Sequence, residues 1–295
     1  MIKTMWSPHI LSISLVLFCL VVSQPSIEDF LSLGDEALSK DLNEKAISYY
    51  EKGVQLLKNS ENDDDESLVV ILSIHTNYGS ALSAIGKNEE AAEQYQQALQ
   101  KYSKDIDDIV EESDQKDATG IAAQASFFLG MVYQDLGQFR DSVDAYSMAH
   151  QLDPFHWASV ANLAAVYHDG LSDHRKALTA YNVAYEILTQ KEVEPTDAPG
   201  EPRFILSQLQ YRIGLCISHD LDQKCAVADA PDTPVDCKQL ATHAFAQAIE
   251  YDPDNEVRKI KLSNNIPFFE IPKLRIALFW TFVSVGKAHA CYYHG

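Results

Sequence analysis

Five times in this chain a small residue is followed four positions later by an aromatic one: Ala46 and Tyr50, Ala91 and Tyr95, Ser142 and Tyr146, Ala177 and Tyr181, Ala241 and Phe245. In the first three copies a glycine stands twelve residues before the small residue, at Gly34, Gly79 and Gly130. The fourth copy has Ala164 in that role, thirteen residues upstream, and the fifth has Gly214 with a long insertion between its two halves. A unit recurring at this period implies stacked helix pairs, each burying its apolar face against the next. A chain built in this way offers a surface for holding others.

Residues 123–156, AQASFFLGMVYQDLGQFRDSVDAYSMAHQLDPFH, show the physical logic of one copy. Leu129 and Tyr133 fall four apart on one helical face, and Gly130 between them lets a neighbouring helix approach. Gly137 supplies the left-handed residue that ends the first helix. Ser142 and Tyr146 repeat the pattern on the second helix, a small residue at the crossing with an aromatic beside it. Asp153-Pro154 then stops that helix and turns the chain into the next unit.

This pattern resembles the tetratricopeptide repeat, a helix-turn-helix of 34 residues. The resemblance covers five units, near 27–60, 72–105, 123–156, 157–190 and 207–254. It is carried on the first helices by Leu33-Gly34, Tyr78-Gly79, Leu129-Gly130, Leu163-Ala164 and Ile213-Gly214. On the second helices Gly53, Ala98, Ala149, Ala184 and Ala248 match the later small position, and Pro154 and Pro253 match the terminal proline. Unit 1 departs most, with Ala37 and Asp41 where Tyr and Gly are usual. The fold implied is all-α, a right-handed solenoid of antiparallel helix pairs over residues 24–265.

Lys and Arg number 23 against 43 Asp and Glu, a formal charge of −20. Such a chain repels nucleic-acid backbones and anionic lipid, so neither is expected as a direct partner. The N-terminus pairs Lys3 with an apolar stretch from Ile10 to Val22 and a small-residue site at Val21-x-Ser23. Residues 1–23 therefore read as a secretory signal peptide, which places the protein in the endoplasmic reticulum lumen or outside the cell and makes membrane attachment after cleavage unexpected. Four cysteines remain behind it, and Cys225 and Cys237 flank a Pro-containing loop, which makes them the disulfide candidates. Cys216 and Cys291 form a looser second pair. Residues 266–295 form an apolar tail, in which Leu274 to Val285 carries one charge and is too short to cross a bilayer.

The connections differ in kind. Residues 61–71 carry an acidic run, and residues 106–122 are expected to extend the second helix of unit 2. Residues 191–206, with Pro195, Pro199, Gly200 and Pro202, read as a loop, and residues 219–236 expand the turn within unit 5.

Catalytic motifs are missing. No Gly-x-Gly-x-x-Gly, phosphate-binding Gly-rich loop, Gly-x-Ser-x-Gly, His-Glu-x-x-His or Cys-x-x-Cys occurs. Cys216, His219, Cys225, Cys237 and His243 match no common zinc spacing. No cofactor, metal or catalysis is expected; His75, His168 and His243 read as packing or surface residues on repeat helices.

The resemblance implies a non-catalytic scaffold that binds a protein or peptide segment in a concave groove lined by the first helices. Family contact positions fall on Asn77 and Ser80; on Gln124, Phe127, Phe128, Met131 and Gln134; on Asn162 and His168; and on Tyr211 and Arg212. One of the adjacent Phe127 and Phe128 is expected to be core. Within the unit bounds, Lys40 is the only Lys or Arg on the first helices of units 1–4, which disfavours clamping of acidic tails. The alternative is the repeat portion of a truncated or fused secretory-pathway glycosyltransferase or methyltransferase. The segment after Pro253 is far too short to supply such a domain.

Overall fold

The computed structural model describes residues 25–59, 67–190, 202–219 and 237–252. The expected signal peptide, the acidic residues 61–66, the apolar tail, Cys225 and Cys291 lie outside them, as do most of the two long loops.

Ten α-helices make up nearly all of the described chain: α1 Ile27–Ser39, α2 Asn43–Asn59, α3 Leu68–Ala84, α4 Asn88–Asp105, α5 Glu112–Asp135, α6 Phe139–Leu152, α7 Trp157–Ala165, α8 His174–Gln190, α9 Pro202–His219 and α10 Cys237–Tyr251. Among the described residues there is no strand. Helices pack on their neighbours in sequence, and α1 and α5 each also lie against α3. Three apolar clusters overlap along this stack. The first runs from α1 into α3, the second from α3 to α6 and the third from α5 to α10, with Ile47, Tyr78 and Phe128 joining successive clusters. The core is therefore a continuous layer between helices, as a solenoid requires.

The recurring sequence unit explains each pair. Ala46, Ala91, Ser142, Ala177 and Ala241 are all buried at the helix crossings. The Ser142 hydroxyl donates to the carbonyl of Gly130 at 2.8 Å, which measures how closely α5 and α6 approach. In the first, second, third and fifth pairs the aromatic of the second helix covers the glycine of its partner. A Cβ on Gly79, Gly130 or Gly214 would lie 2.6–2.8 Å from a ring carbon of Tyr95, Tyr146 or Phe245, and at Gly34 closer still to Tyr50.

Helix ends follow local chemistry. Ser26 caps α1 in a reciprocal box, its hydroxyl accepting from the Asp29 amide at 3.1 Å while the Ser26 amide donates to Asp29 Oδ2 at 2.9 Å. Within the pairs, the first helix closes on a residue of positive φ: Asp41 at 57°, Gly86 at 79°, Gly137 at 72° and Ser172 at 53°. The next amide then reaches back to a carbonyl of the last turn, Leu42 to Ala37, Lys87 to Leu82 and Gln138 to Tyr133, at 2.8–3.0 Å. Asp41 thus does in unit 1 what glycine does in units 2 and 3.

Two expectations need correction. Residues 106–122 do not prolong the second helix of unit 2. That helix, α4, ends at Asp105; a short 3-10 turn, Ile106–Asp108, follows, and the backbone is extended at Ile109 and Glu111. From Glu112 the chain belongs to α5, the first helix of unit 3, which starts eleven residues earlier than its repeat unit. Glu112 and Asp114 in its first turn suit the positive end of the helix dipole. The expected loop at 191–206 likewise ends early, because Pro202 opens α9. Proline is well placed at a first helical position, where its missing N–H would have no intrahelical partner.

The fourth pair absorbs its extra residue visibly. After Ala165 the helix widens into a π-turn, Val166–Gly170, before the left-handed Ser172. A one-residue insertion in a helix is accommodated in this way.

Candidate functional site: the first-helix face and the junctions between pairs

The buried tyrosines of the second helices end in polar contacts. Tyr50 donates to Asp35 Oδ1 at 2.6 Å, and Tyr146 donates to Gln134 Oε1 at 3.0 Å. The hydroxyls of Tyr95 and Ser80 share a hydrogen bond at 3.1 Å, and Arg212 donates to the Tyr181 oxygen at 3.1 Å. Burial raises the pKa of all four phenols well above the ordinary value. For Tyr181 this holds although the nearby Arg212 charge pulls the other way.

The residue two places before each glycine, or before Ala164, reaches back to the preceding pair. Asn77 donates to Asp35 Oδ1 at 2.8 Å, the same oxygen that accepts from Tyr50. Phe128 lies 5.9 Å, ring to ring, from Tyr95. Asn162 is buried beside the Tyr146 hydroxyl and eases its ionisation, and Arg212 bonds both Tyr181 and Asp169. Four of the expected groove residues, Asn77, Phe128, Asn162 and Arg212, therefore join one pair to the next. Their spacing placed them on one face, but their partners depended on how successive pairs stack.

The remaining expected groove residues separate by burial. Phe127 (4% exposed) and Tyr211 (3%) are core, packed on Tyr146 and Phe245 at 5.8 and 5.6 Å between ring centroids. Of the adjacent pair, Phe127 is thus the core member. Gln124, Phe128, Met131 and Gln134 are partly exposed on α5, as is Ser80 on α3. His168 sits on the π-turn, with Nδ1 at 2.8 Å from Asp169 Oδ1. His75 is buried with Nδ1 at 2.9 Å from Gln94 Oε1, and His243 is exposed on α10.

Arg212 is buried, with its Nη1 at 3.0 Å from Asp169 Oδ2. Burial opposes ionisation of Asp169, but the His168 hydrogen bond and the Arg212 charge outweigh it and hold the carboxyl well below the usual range. Sequence reading missed Asp169; the thirteen-residue spacing between Ala164 and Ala177 was the signal that something unusual lay between them.

Cys216 is a buried free thiol, its pKa pushed up to about 12 by burial. This corrects the looser expectation that it pairs with Cys291. Cys237, at the start of α10, is disulfide-bonded. Among the described residues no group of three or more His, Cys, Asp or Glu is arranged to hold a metal ion, and no helix is long and apolar enough to cross a membrane.

The family model for the tetratricopeptide repeat matches residues 72–100, within α3 and α4. No curated protein matches the chain. Solved structures share the fold at low identity. MamA is 18% identical, with 83% of this chain and 98% of that chain covered and a TM-score of 0.52. YrrB, described as a tetratricopeptide repeat protein with an unusual peptide-binding site, is 13% identical over 84% of this chain and 97% of its own, also at 0.52. BtubC from P. vanneervenii is 16% identical over 83% and 84%, at 0.51. The matched repeat, the glycines covered by aromatic rings and the sequential stacking of helix pairs lead to one assignment: the chain carries a tetratricopeptide repeat at residues 72–100 and has the all-α fold of tetratricopeptide repeat structures.

Proposed function

We propose that this protein is a non-catalytic scaffold that holds a protein or peptide segment along the face formed by its first helices. The observation that carries the reading is the partly exposed set on α5, where Phe128 and Met131 offer apolar contact beside the amides of Gln124 and Gln134. Amides can bond both the N–H and the C=O of an extended segment, and Met adapts to varied apolar shapes. Asn77, Asn162 and Arg212 support this face through their contacts with the preceding pair, and Ser80 and His168 extend it. The formal charge of −20 favours a basic, neutral or apolar segment over an acidic one and disfavours nucleic acid. The peptide-binding site in the description of YrrB is in keeping with this use of the fold.

The protein works in the secretory lumen or outside the cell, with a Cys225–Cys237 disulfide closing the turn of unit 5. The N-terminal sequence and the bonded state of Cys237 support this reading. Crosslinking mass spectrometry under non-reducing conditions, on the mature protein in its native compartment, tests these proposals together. Crosslinks from a partner should concentrate around α5, a Cys225–Cys237 peptide should appear, and residues 1–23 should be missing. A partner crosslinked only to the second helices or the loops would refute the binding face. Free thiols at Cys225 and Cys237, or retention of residues 1–23, would refute the compartment and its disulfide.

A further inference from the structure

The repeat register that sets Gln124 and Met131 on α5 sets Gln208 and Leu215 at the same places on α9, six residues before and one after the crossing glycine, Gly130 or Gly214. Leu215 is partly exposed, as Met131 is. The two amides differ. Gln124 is partly exposed, whereas Gln208 is 4% exposed and its buried Oε1 accepts no hydrogen bond. A buried carbonyl oxygen without a donor is costly, and it marks a place where a donor fits.

The contacts that fix α9 in the array involve its other residues. α9 packs on α8 and α10. Toward α10, the Ser207 hydroxyl donates to the Ala248 carbonyl, and Tyr211 and Gly214 meet the Phe245 ring. Toward α8, Arg212 donates to Tyr181, and Leu209 and Ile213 belong to the apolar cluster that also holds Ala180 and Ala184. Gln208 is in neither set. With Phe204 one turn before it and Leu215 two turns after it, it forms a stripe on α9 that repeats the stripe proposed to bind partners on α5.

We propose that the apolar stretch from Leu274 to Val285 lies along this stripe as an intramolecular occupant, with one of its main-chain N–H groups donating to Gln208 Oε1. The inference rests on the reading of the first-helix face as the binding surface, and it closes that face at the fifth pair while α5 stays open. Charge selects the occupant. Residues 253–295 carry six Lys and Arg against three Asp and Glu, while residues 1–252 carry 17 against 40. The other stretches next to α9, residues 191–201 and 220–236, carry two Lys against nine Asp and Glu. The C-terminal segment alone among these joins a positive balance, suited to an acidic array, with an apolar run suited to Phe204 and Leu215. Reach is ample. The 21 residues between Asp252 and Leu274 extend to about 70 Å, about three times the length of α10. A partner that engages the fifth pair has to displace this segment, which therefore sets how much of the face is on offer.

Photocrosslinking in the full chain tests this, with p-benzoylphenylalanine in place of the partly exposed Leu215. Irradiation of dilute protein should join position 215 to a peptide from residues 266–295 of the same molecule. Capture of residues 191–201 or 220–236 instead, capture only between two copies, or no capture at all would overturn the proposal. Hydroxyl-radical footprinting gives a second reading on the full chain. In Leu278→Ser/Phe279→Ser/Phe282→Ser the oxidation rate of Leu215 should rise severalfold, while that of Phe155, exposed between α6 and α7, stays as in the wild type. A synthetic peptide of residues 272–287 added to this variant should restore the slow rate. Equal Leu215 rates in wild type and variant would overturn the occupancy. Both readouts report on α9, so their failure is distinct from a failure of partner crosslinks at α5.

Discussion

At the scale of single residues, glycine matters in this chain where a ring lies on it. A methyl group on Gly130 would have to displace Tyr146, which is fully buried. Overpacking of this kind costs about 1–3 kcal/mol, against a gain of up to about 1 kcal/mol from replacing a mid-helix glycine. Gly130→Ala should therefore destabilise the protein by about 1 kcal/mol. Gly120 lies on the same helix, exposed and with open space around its Cα, so Gly120→Ala should stabilise by about 0.5–1 kcal/mol. Denaturant titration of the two variants checks the opposite signs.

The tyrosines give a second residue-scale prediction. Tyr50, Tyr95, Tyr146 and Tyr181 have raised pKa values because burial penalises the phenolate. In the unfolded chain they ionise near pH ~10, so the native state binds more protons above that value. Their contribution to stability is complete below pH ~10 and is lost as pH rises through the folded values. In an absorbance titration these four phenols should ionise only together with loss of helicity. Ionisation of all 14 tyrosines at the ordinary value with helicity intact would contradict their burial.

At the scale of elements, the pairing of helices was legible because each pair is specified locally by its small–aromatic spacing and its crossing glycine. The left-handed stop at Gly137 was equally readable, and Asp153-Pro154 does end α6. The ends of α4 and α5 were not. A polar run such as 106–122 is compatible with extension of either neighbouring helix, and only the extended residues Ile109 and Glu111 assign it to α5. Ser172 shows the limits of local reading in another way, since nothing in its side chain favours a φ of 53°. The left-handed region costs an L-residue about 1–2 kcal/mol, while glycine gives back part of that gain in unfolded-state entropy. Ser172→Gly should raise stability by about 0.5 kcal/mol, read as a higher denaturation midpoint at unchanged slope. A lower midpoint would show that the Ser172 side chain makes a compensating contact.

At the scale of the whole molecule, the stack turns residues that look like ligand contacts into joints. Asn77, Asn162 and Arg212 are polar and occur on the expected face, yet each is committed to the pair before it. Sequence spacing can place a side chain on a helix face, but it does not say which neighbour that side chain will meet. Gln124 and Met131, with the exposed parts of Phe128 and Gln134, are the surface of α5 that carries the proposed binding. The direct test is the affinity of the crosslinked partner for the wild type and for Phe128→Ala/Met131→Ala, measured by titration calorimetry with helicity checked in parallel. Truncating two apolar contacts should cost about 1.5–3 kcal/mol, a loss of roughly tenfold to a hundredfold in affinity at unchanged helicity. Equal affinity for wild type and variant would contradict the assignment of function to the first-helix face.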